Sequence, residues 1–451
     1  MQINKDIFFK STTIFLISVS FFLGYFFREN ATGGGLEFYK LSWPIIQSFR
    51  EDFLFTIYNY ATPPLKDGTI PFSHIINAYL NPFSDNTANF QLSVTVISFL
   101  IFVIFAIILK KIFSNISFLD SSLISSSFLI LPFFRTSAFW GKNENYGWLF
   151  LILALYFFSE IKKNLSRAPN KKDIVNVLLF CLTSAAALYA RQALIFLPIS
   201  YLTYLFFYKA HKKIIITSII SFILLAVPGL VLIFIWRDIY NAQEVFLPIG
   251  LRGDWLHPKY IMVNFPILLS FFGFYLLPIL VIDFFNCEFK VFYKKYFKSF
   301  IFSLIFFIIL WQMNVLNYLG NYVLGGGAIL KINYIIYKNN FLLLIIFSSI
   351  GFSILVEIFK ENFKNNAIII LPIFIIYGFT HLLYQEYLEP LILIIFFLVL
   401  KTNLHNIYLK NIKLSHTVFL SYFAIYLIGS IYFKHIAFSS FDEWQIFLNN
   451  Q

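Results

Sequence analysis

Residues 28–90 form the longest polar interval in an otherwise apolar chain, and that interval carries a carboxylate in a chemically suggestive place. It reads Gly33-Gly34-Gly35-Leu36-Glu37-Phe38-Tyr39, then some two dozen residues later Ala61-Thr62-Pro63-Pro64-Leu65. Three glycines allow close backbone approach beside Glu37, and two aromatic residues follow it. A carboxylate held at an apolar boundary can serve as a general base toward a hydroxyl. The same residue also suits an ordinary glutamate at a membrane interface.

Further polar groups recur at the ends of later apolar runs. Glu144 lies in Phe139-Trp140-Gly141-Lys142-Asn143-Glu144-Asn145-Tyr146-Gly147. There, Glu144 and Asn143 form either the polar, acceptor-side wall of a cleft or a turn with Asn and Gly in their usual roles. Arg191-Gln192 separates two apolar runs with almost no turn. An arginine so placed either grips a phosphate in bidentate fashion or snorkels from a helix end. Arg252, His257 and Lys259 gather in Gly250-Leu251-Arg252-Gly253-Asp254-Trp255-Leu256-His257-Pro258-Lys259. That cluster suits a phosphate leaving group or a basic loop on a membrane surface. Gly325-Gly326-Gly327 lacks the Lys-Ser/Thr of a phosphate loop, and no HExxH or CxxC pattern occurs. Cys181 and Cys287 supply neither a disulfide framework nor a zinc spacing.

The elements that must position these groups are membrane helices. Of 451 residues, 59% are hydrophobic and 12% charged, against about 25% charged in soluble domains. Mean hydropathy is +0.77. Apolar runs near the bilayer-spanning length recur, and in lipid each must be helical to satisfy its backbone. The expected fold is an all-α polytopic bundle of 11–13 spans in a single integral membrane domain, residues 1–451. Spans are placed at 11–27, 91–113, 117–134, 147–161, 174–190, 193–208, 214–236, 260–286, 299–316, 341–358, 366–384, 388–400 and 416–433. The first run has no Ala-x-Ala site after it and reads as a retained helix. In the first loop, apolar residues recur at helical spacing over 42–57 and 70–80, giving two amphipathic helices. They lie in the membrane interface or fold against the bundle.

The net charge of +12 comes largely from Lys and Arg at alternate span ends. That is a positive-inside pattern rather than a nucleic-acid surface. It places the N-terminus in the cytoplasm, and the first loop, Glu144, Arg191 and the loop 237–259 on the outer face. Abundant Phe, Ile, Asn and Lys suggest an AT-rich genome, hence a bacterial inner membrane with a periplasmic outer face.

In order and sidedness, these residues resemble the GT-C superfamily of polytopic glycosyltransferases that use polyprenyl-phosphate sugars. Glu37 matches the second position of the family's Asp-Glu motif, with Leu36 where the Asp often stands, and Pro63-Pro64-Leu65 matches the later element. Glu144 takes the place of the acid in the second outer loop. Tyr189-Ala190-Arg191-Gln192 is similar to the Phe-Arg-Gln-Thr of the dolichyl-phosphoglucose α-1,2-glucosyltransferases. Gly253-Asp254 with His257 resembles a loop of that branch. Gln385-Glu386-Tyr387-Leu388-Glu389-Pro390 resembles the late Arg-Tyr-x-x-Pro element, with Glu386 for Arg.

The resemblance implies inverting transfer on the outer leaflet, from a polyprenyl-phosphate sugar to a glycan, lipid or protein acceptor. Glu37 would deprotonate the acceptor hydroxyl. Arg191, Arg252, His257 and Lys259 would stabilise the departing lipid phosphate. A single acid at the first motif argues against an obligatory metal or other cofactor. An O-antigen-type polymerase would carry its dominant outer loop late and rich in Arg. A transporter or flippase would show repeats or correspondingly broken spans in two halves.

Overall fold

The computed structural model describes residues 5–31, 34–60, 65, 69–240, 258–313, 327–337, 341–380 and 383–433. Among the described residues every regular element is a helix, with no strand. Among the described residues, eight helices are long and apolar enough to cross a membrane: Lys5–Phe26, Thr87–Ile112, Lys171–Ala190, Lys212–Trp236, Tyr260–Asn286, Phe289–Gln312, Leu342–Gly378 and Ile412–Ile431. The protein is an all-α polytopic membrane protein.

The spans differ from the sequence expectation where the backbone is broken. Residues 117–134 are not one helix, because Phe118–Ile130 and Pro132–Phe139 meet at 73°. Leu131 is extended there, at φ −83° and ψ 121°; proline disfavours the α region in the residue before it. The expected spans 341–358 and 366–384 fall in one element, Leu342–Gly378, kinked at Asn362 (φ −154°, ψ 74°). The Asn362 side chain accepts from Asn365 N–H at 3.4 Å and restarts the helix. The expected span 193–208 is Gln192–Phe207, an apolar helix shorter than the eight above, and 388–400 is cut to Leu391–Leu398.

Two compact units arise from interleaved segments. One comprises Met1–Phe21, Leu109–Phe134 and Asp254–Gln451; the other comprises Phe22–Ile108 and Arg135–Gly253. In the first, helices Pro258–Asn286 and Leu342–Gly378 cross with their backbones in contact. A Cβ on Gly273 would lie 2.1 Å from the Phe347 carbonyl oxygen, and one on Gly351 would lie 1.9 Å from that of Leu269. Small residues at such crossings let membrane helices pack backbone to backbone.

In the second unit, Asn143–Lys162 and Lys171–Ala190 form an antiparallel hairpin. Its return is fixed by a capping box: Asn170 accepts from Asp173 N–H at 2.9 Å and Asp173 accepts from Asn170 N–H at 3.0 Å. The first loop, in the same unit, holds helices Trp43–Glu51, Phe53–Asn59 and Phe72–Tyr79. The expected helix 42–57 is thus broken at Asp52, which is extended and whose carboxylate accepts from Phe55 N–H at 2.9 Å, capping a new helix.

The two amphipathic helices turn opposite faces inward. Trp43–Glu51 buries Ile45, Ile46 and Phe49. Phe72–Tyr79 buries Ser73, His74, Asn77 and Ala78 instead, and leaves Tyr79 exposed. An outward apolar face is unfavourable in water, at about 25 cal/mol per Å², and favourable against lipid.

Candidate functional site

Glu37 ends the short helix Gly34–Glu37, and the chain continues into the π-helical segment Phe38–Ser42. Such wide turns are frequent at functional sites. Its neighbour Phe38 is buried and stacks on Phe90, with ring centroids 5.6 Å apart. Gly35 lies so close to Trp140 that a Cβ would sit 3.1 Å from the indole. The backbone at Glu37 is therefore pinned while its side chain stays 45% exposed, and its Oε2 lies 2.9 Å from the Nζ of Lys142, which is 5% exposed.

Lys142 is the N-cap residue of Asn143–Lys162, and Glu144 lies in that helix's first turn. The antiparallel hairpin brings the far end of Lys171–Ala190 back to this point, so Arg191, the residue just past that helix, meets Glu144 at 3.5 Å. An acid at a helix start and a cation at a helix end both suit the helix dipoles. The Arg191 guanidinium also lies over the Trp148 ring, 4.9 Å from its centroid. Burial pushes the Glu144 pKa up. The charges of Lys142 and Arg191, with the residue's own backbone N–H, more than offset that and hold it below its ordinary value. Charges therefore alternate along Glu37, Lys142, Glu144 and Arg191. Asn143 Nδ2 donates to Thr69 Oγ1 at 3.4 Å.

The sequence candidates Glu37, Asn143, Glu144 and Arg191 are thus gathered in one unit. Arg252 and His257 lie outside the described residues, as do Pro63 and Pro64. Lys259 falls in the first turn of Pro258–Asn286, its side chain outside the description. Leu65 is buried. In the late motif the buried acid is Glu389, not Glu386. Glu389 accepts from the backbone N–H of Phe133 at 2.7 Å and Phe134 at 3.3 Å, and from the hydroxyls of Tyr275 and Tyr426.

Two residues escaped sequence reasoning. Lys142 is one; its only signal was a lysine beside the acid-bearing hinge. Arg135 is the other. It is 1% exposed and grips Glu29 through two contacts of 2.6 Å. Trp140 Nε1 donates to the Glu29 carbonyl at 2.9 Å, and Ala31 N–H donates to Thr136 Oγ1 at 2.8 Å. These bonds fix the start of the loop that carries Glu37.

A half-exposed carboxylate backed by a buried ammonium can take a proton from a hydroxyl. The Arg191 guanidinium, 8% exposed, already faces the Glu144 carboxylate. Among the described residues, no three His, Cys, Asp or Glu side chains converge closely enough to hold a metal ion. Compared with known proteins, the chain matches no family model and no curated sequence.

Proposed function

We propose that the protein is a membrane glycosyltransferase of the GT-C kind, moving a sugar from a polyprenyl-phosphate donor to an acceptor hydroxyl with inversion. The observation that carries the reading is the alternating run from Glu37 through Lys142 and Glu144 to Arg191. It supports the reading by linking a half-exposed carboxylate, through Lys142 and Glu144, to an arginine. Glu37 takes the proton of the acceptor hydroxyl. The freed oxygen attacks the anomeric carbon, and the bond from that carbon to the phosphate oxygen breaks. Negative charge then grows on the departing lipid phosphate, where Arg191 stabilises it. The reading gives Arg252, His257 and Lys259 the same role toward the lipid phosphate, and Glu144 with Asn143 the acceptor side. A periplasmic site, a cytoplasmic N-terminus, a bacterial inner membrane and operation without a metal belong to the same reading.

The test is transfer from a polyprenyl-phosphate sugar by the full chain in proteoliposomes. Glu37→Gln is expected to abolish transfer while melting at the wild-type temperature. Wild-type turnover by that variant would remove Glu37 as the base. If the wild-type protein transfers no sugar from any polyprenyl-phosphate donor, the transferase reading itself fails.

A further inference from the structure

Helix Phe289–Gln312 begins with two rows of side chains, each repeating every four residues along one strip of its surface. One row is Phe289, Tyr293 and Phe297, which are 68%, 46% and 38% exposed. Their rings follow one another, with centroids 6.3 Å apart in the first pair and 4.1 Å apart in the stacked second pair. The other row is Lys290, Lys294 and Lys298, all exposed. Lys290 stands three residues before Tyr293, and Lys294 three before Phe297, so the two rows are neighbours on the helix surface.

Further along the lysine row the residue type changes. Its next two positions are Phe302 and Phe306, 65% and 41% exposed. The outward surface therefore passes from charged to apolar between Lys298 and Phe302. The helix is long and apolar enough to cross a membrane, so that change marks where head groups give way to hydrocarbon. Lys290 and Lys298 are separated by about 12 Å along the axis. Helical side chains lean toward the N-terminus, so Lys294 and Lys298 reach back toward the head-group level. Aromatic rings settle at that same level.

The charge of this surface selects an occupant. From Glu288 to Lys298 the sequence carries four lysines and one acid. Only Lys295 is turned to a carboxylate of the bundle, meeting Asp283 at 2.7 Å, and Asp283 also accepts from the Tyr296 hydroxyl at 2.6 Å. The outward lysines thus outnumber the one acid of the segment three to one. A helix start favours an anion nearby, yet Lys290 stands in this helix's first turn. An anion bound there would satisfy both the lysine and the dipole. Phosphatidylcholine brings its own ammonium against the lysines, whereas an anionic phospholipid brings a net negative phosphodiester. A soluble anion would leave the aromatic row unused.

We propose that the first three turns of Phe289–Gln312 bind an anionic phospholipid. The lysine row holds the phosphodiester of its head group, and the aromatic row packs against the upper part of its acyl chains. The assignment is independent of the transferase reading and applies to whichever leaflet meets this end of the helix.

The test is photolabelling of the full chain in nanodiscs of mixed phosphatidylglycerol and phosphatidylcholine, with a diazirine near the head group of one lipid or the other. Each lysine near an anionic surface strengthens the attraction about fivefold, so phosphatidylglycerol is expected to label residues 289–298 about tenfold more than phosphatidylcholine, or better. High salt should shrink that preference. Lys290→Gln, Lys294→Gln and Lys298→Gln together should abolish it, and Lys294→Gln alone should lower it about fivefold. The single variant keeps the test decisive should the triple one fail to fold. Lys290→Arg, Lys294→Arg and Lys298→Arg together should preserve it. Equal labelling of the wild type by the two lipids, or a preference undiminished in the Gln variants, would overturn the proposal. Displacement of the phosphatidylglycerol probe by polyglutamate would overturn it in favour of an acidic protein partner.

Discussion

Lys142 Nζ stands 2.9 Å from Glu37 Oε2, and the burial of the two side chains is unequal, 5% against 45% exposed. The lysine is fixed, and the carboxylate is the accessible partner. Lys142 is therefore a positioning residue. Lys142→Met should lower kcat by about 10²-fold, the scale of a misplaced catalytic group, with donor KM unchanged. Lys142→Arg should restore most of the rate. Wild-type kcat in the Met variant would remove Lys142 from this role.

Arg191 should be sensitive to shape as well as charge. A charge-assisted hydrogen bond contributes about 1.5–3 kcal/mol. Arg191→Lys keeps the charge but loses the planar fork and the stacking on Trp148. Donor kcat/KM should fall about tenfold or more, chiefly through kcat, with the acceptor KM unmoved. An unchanged donor kcat/KM would place the phosphate elsewhere.

The same arginine sets an acid dependence through Glu144, whose pKa is depressed in the folded protein. A depressed carboxylate contributes stability that is complete above its unfolded value, about 4.3. That stability is lost as pH falls through the folded value. Arg191→Ala removes one of the two charges that oppose burial, so the Glu144 pKa rises and the loss begins at higher pH. Tryptophan fluorescence during acid titration in detergent should show a higher unfolding midpoint for the variant. Coincident midpoints would mean that Arg191 does not hold Glu144.

Arg135 and Glu29 form a deeply buried ion pair of the loop, at 1% and 14% exposure. Breaking such a pair from one side costs about 3–5 kcal/mol, because the remaining charge is left in a poor solvent. Arg135→Met should melt well below the wild type, and adding Glu29→Gln should recover part of the loss. If the double variant is no more stable than the single one, the pair is not the cause.

Gly351 faces backbone rather than a movable side chain. Gly351→Ala must push two helices apart and should cost at least about 1–3 kcal/mol. Gly429 has nothing within 4 Å of its would-be Cβ, so Gly429→Ala should be neutral or slightly stabilising. Equal melting of the two variants would show that the Gly273–Gly351 crossing tolerates a methyl group.

Much of the helical scaffold was legible because its signals are local. The run Thr87–Ile112 is apolar along its length, and no neighbour is needed to read it. Breaks were legible only in part. Pro132 and Asp52 carry ordinary boundary chemistry, yet apolar periodicity on either side hid both. Phe72–Tyr79 was legible as amphipathic, but the pattern alone does not say whether lipid or protein takes the apolar face. In the site, Glu37, Asn143, Glu144 and Arg191 drew notice as polar groups at the ends of apolar runs. Lys142 and Arg135 did not, since a lone cation near a span end resembles many others in the chain.

The sequence by itself determined that this protein is a helical membrane protein. Length and hydropathy suffice, because lipid leaves the backbone of an apolar run no partner but its own helix. Only the tertiary structure decided which charge meets which. Glu29 finds Arg135, Glu37 finds Lys142 and Glu144 finds Arg191 because the hairpin and the pinned first loop bring them within a few ångströms. Coulomb energy depends on separation in space and on local burial, and neither is written in the order of residues.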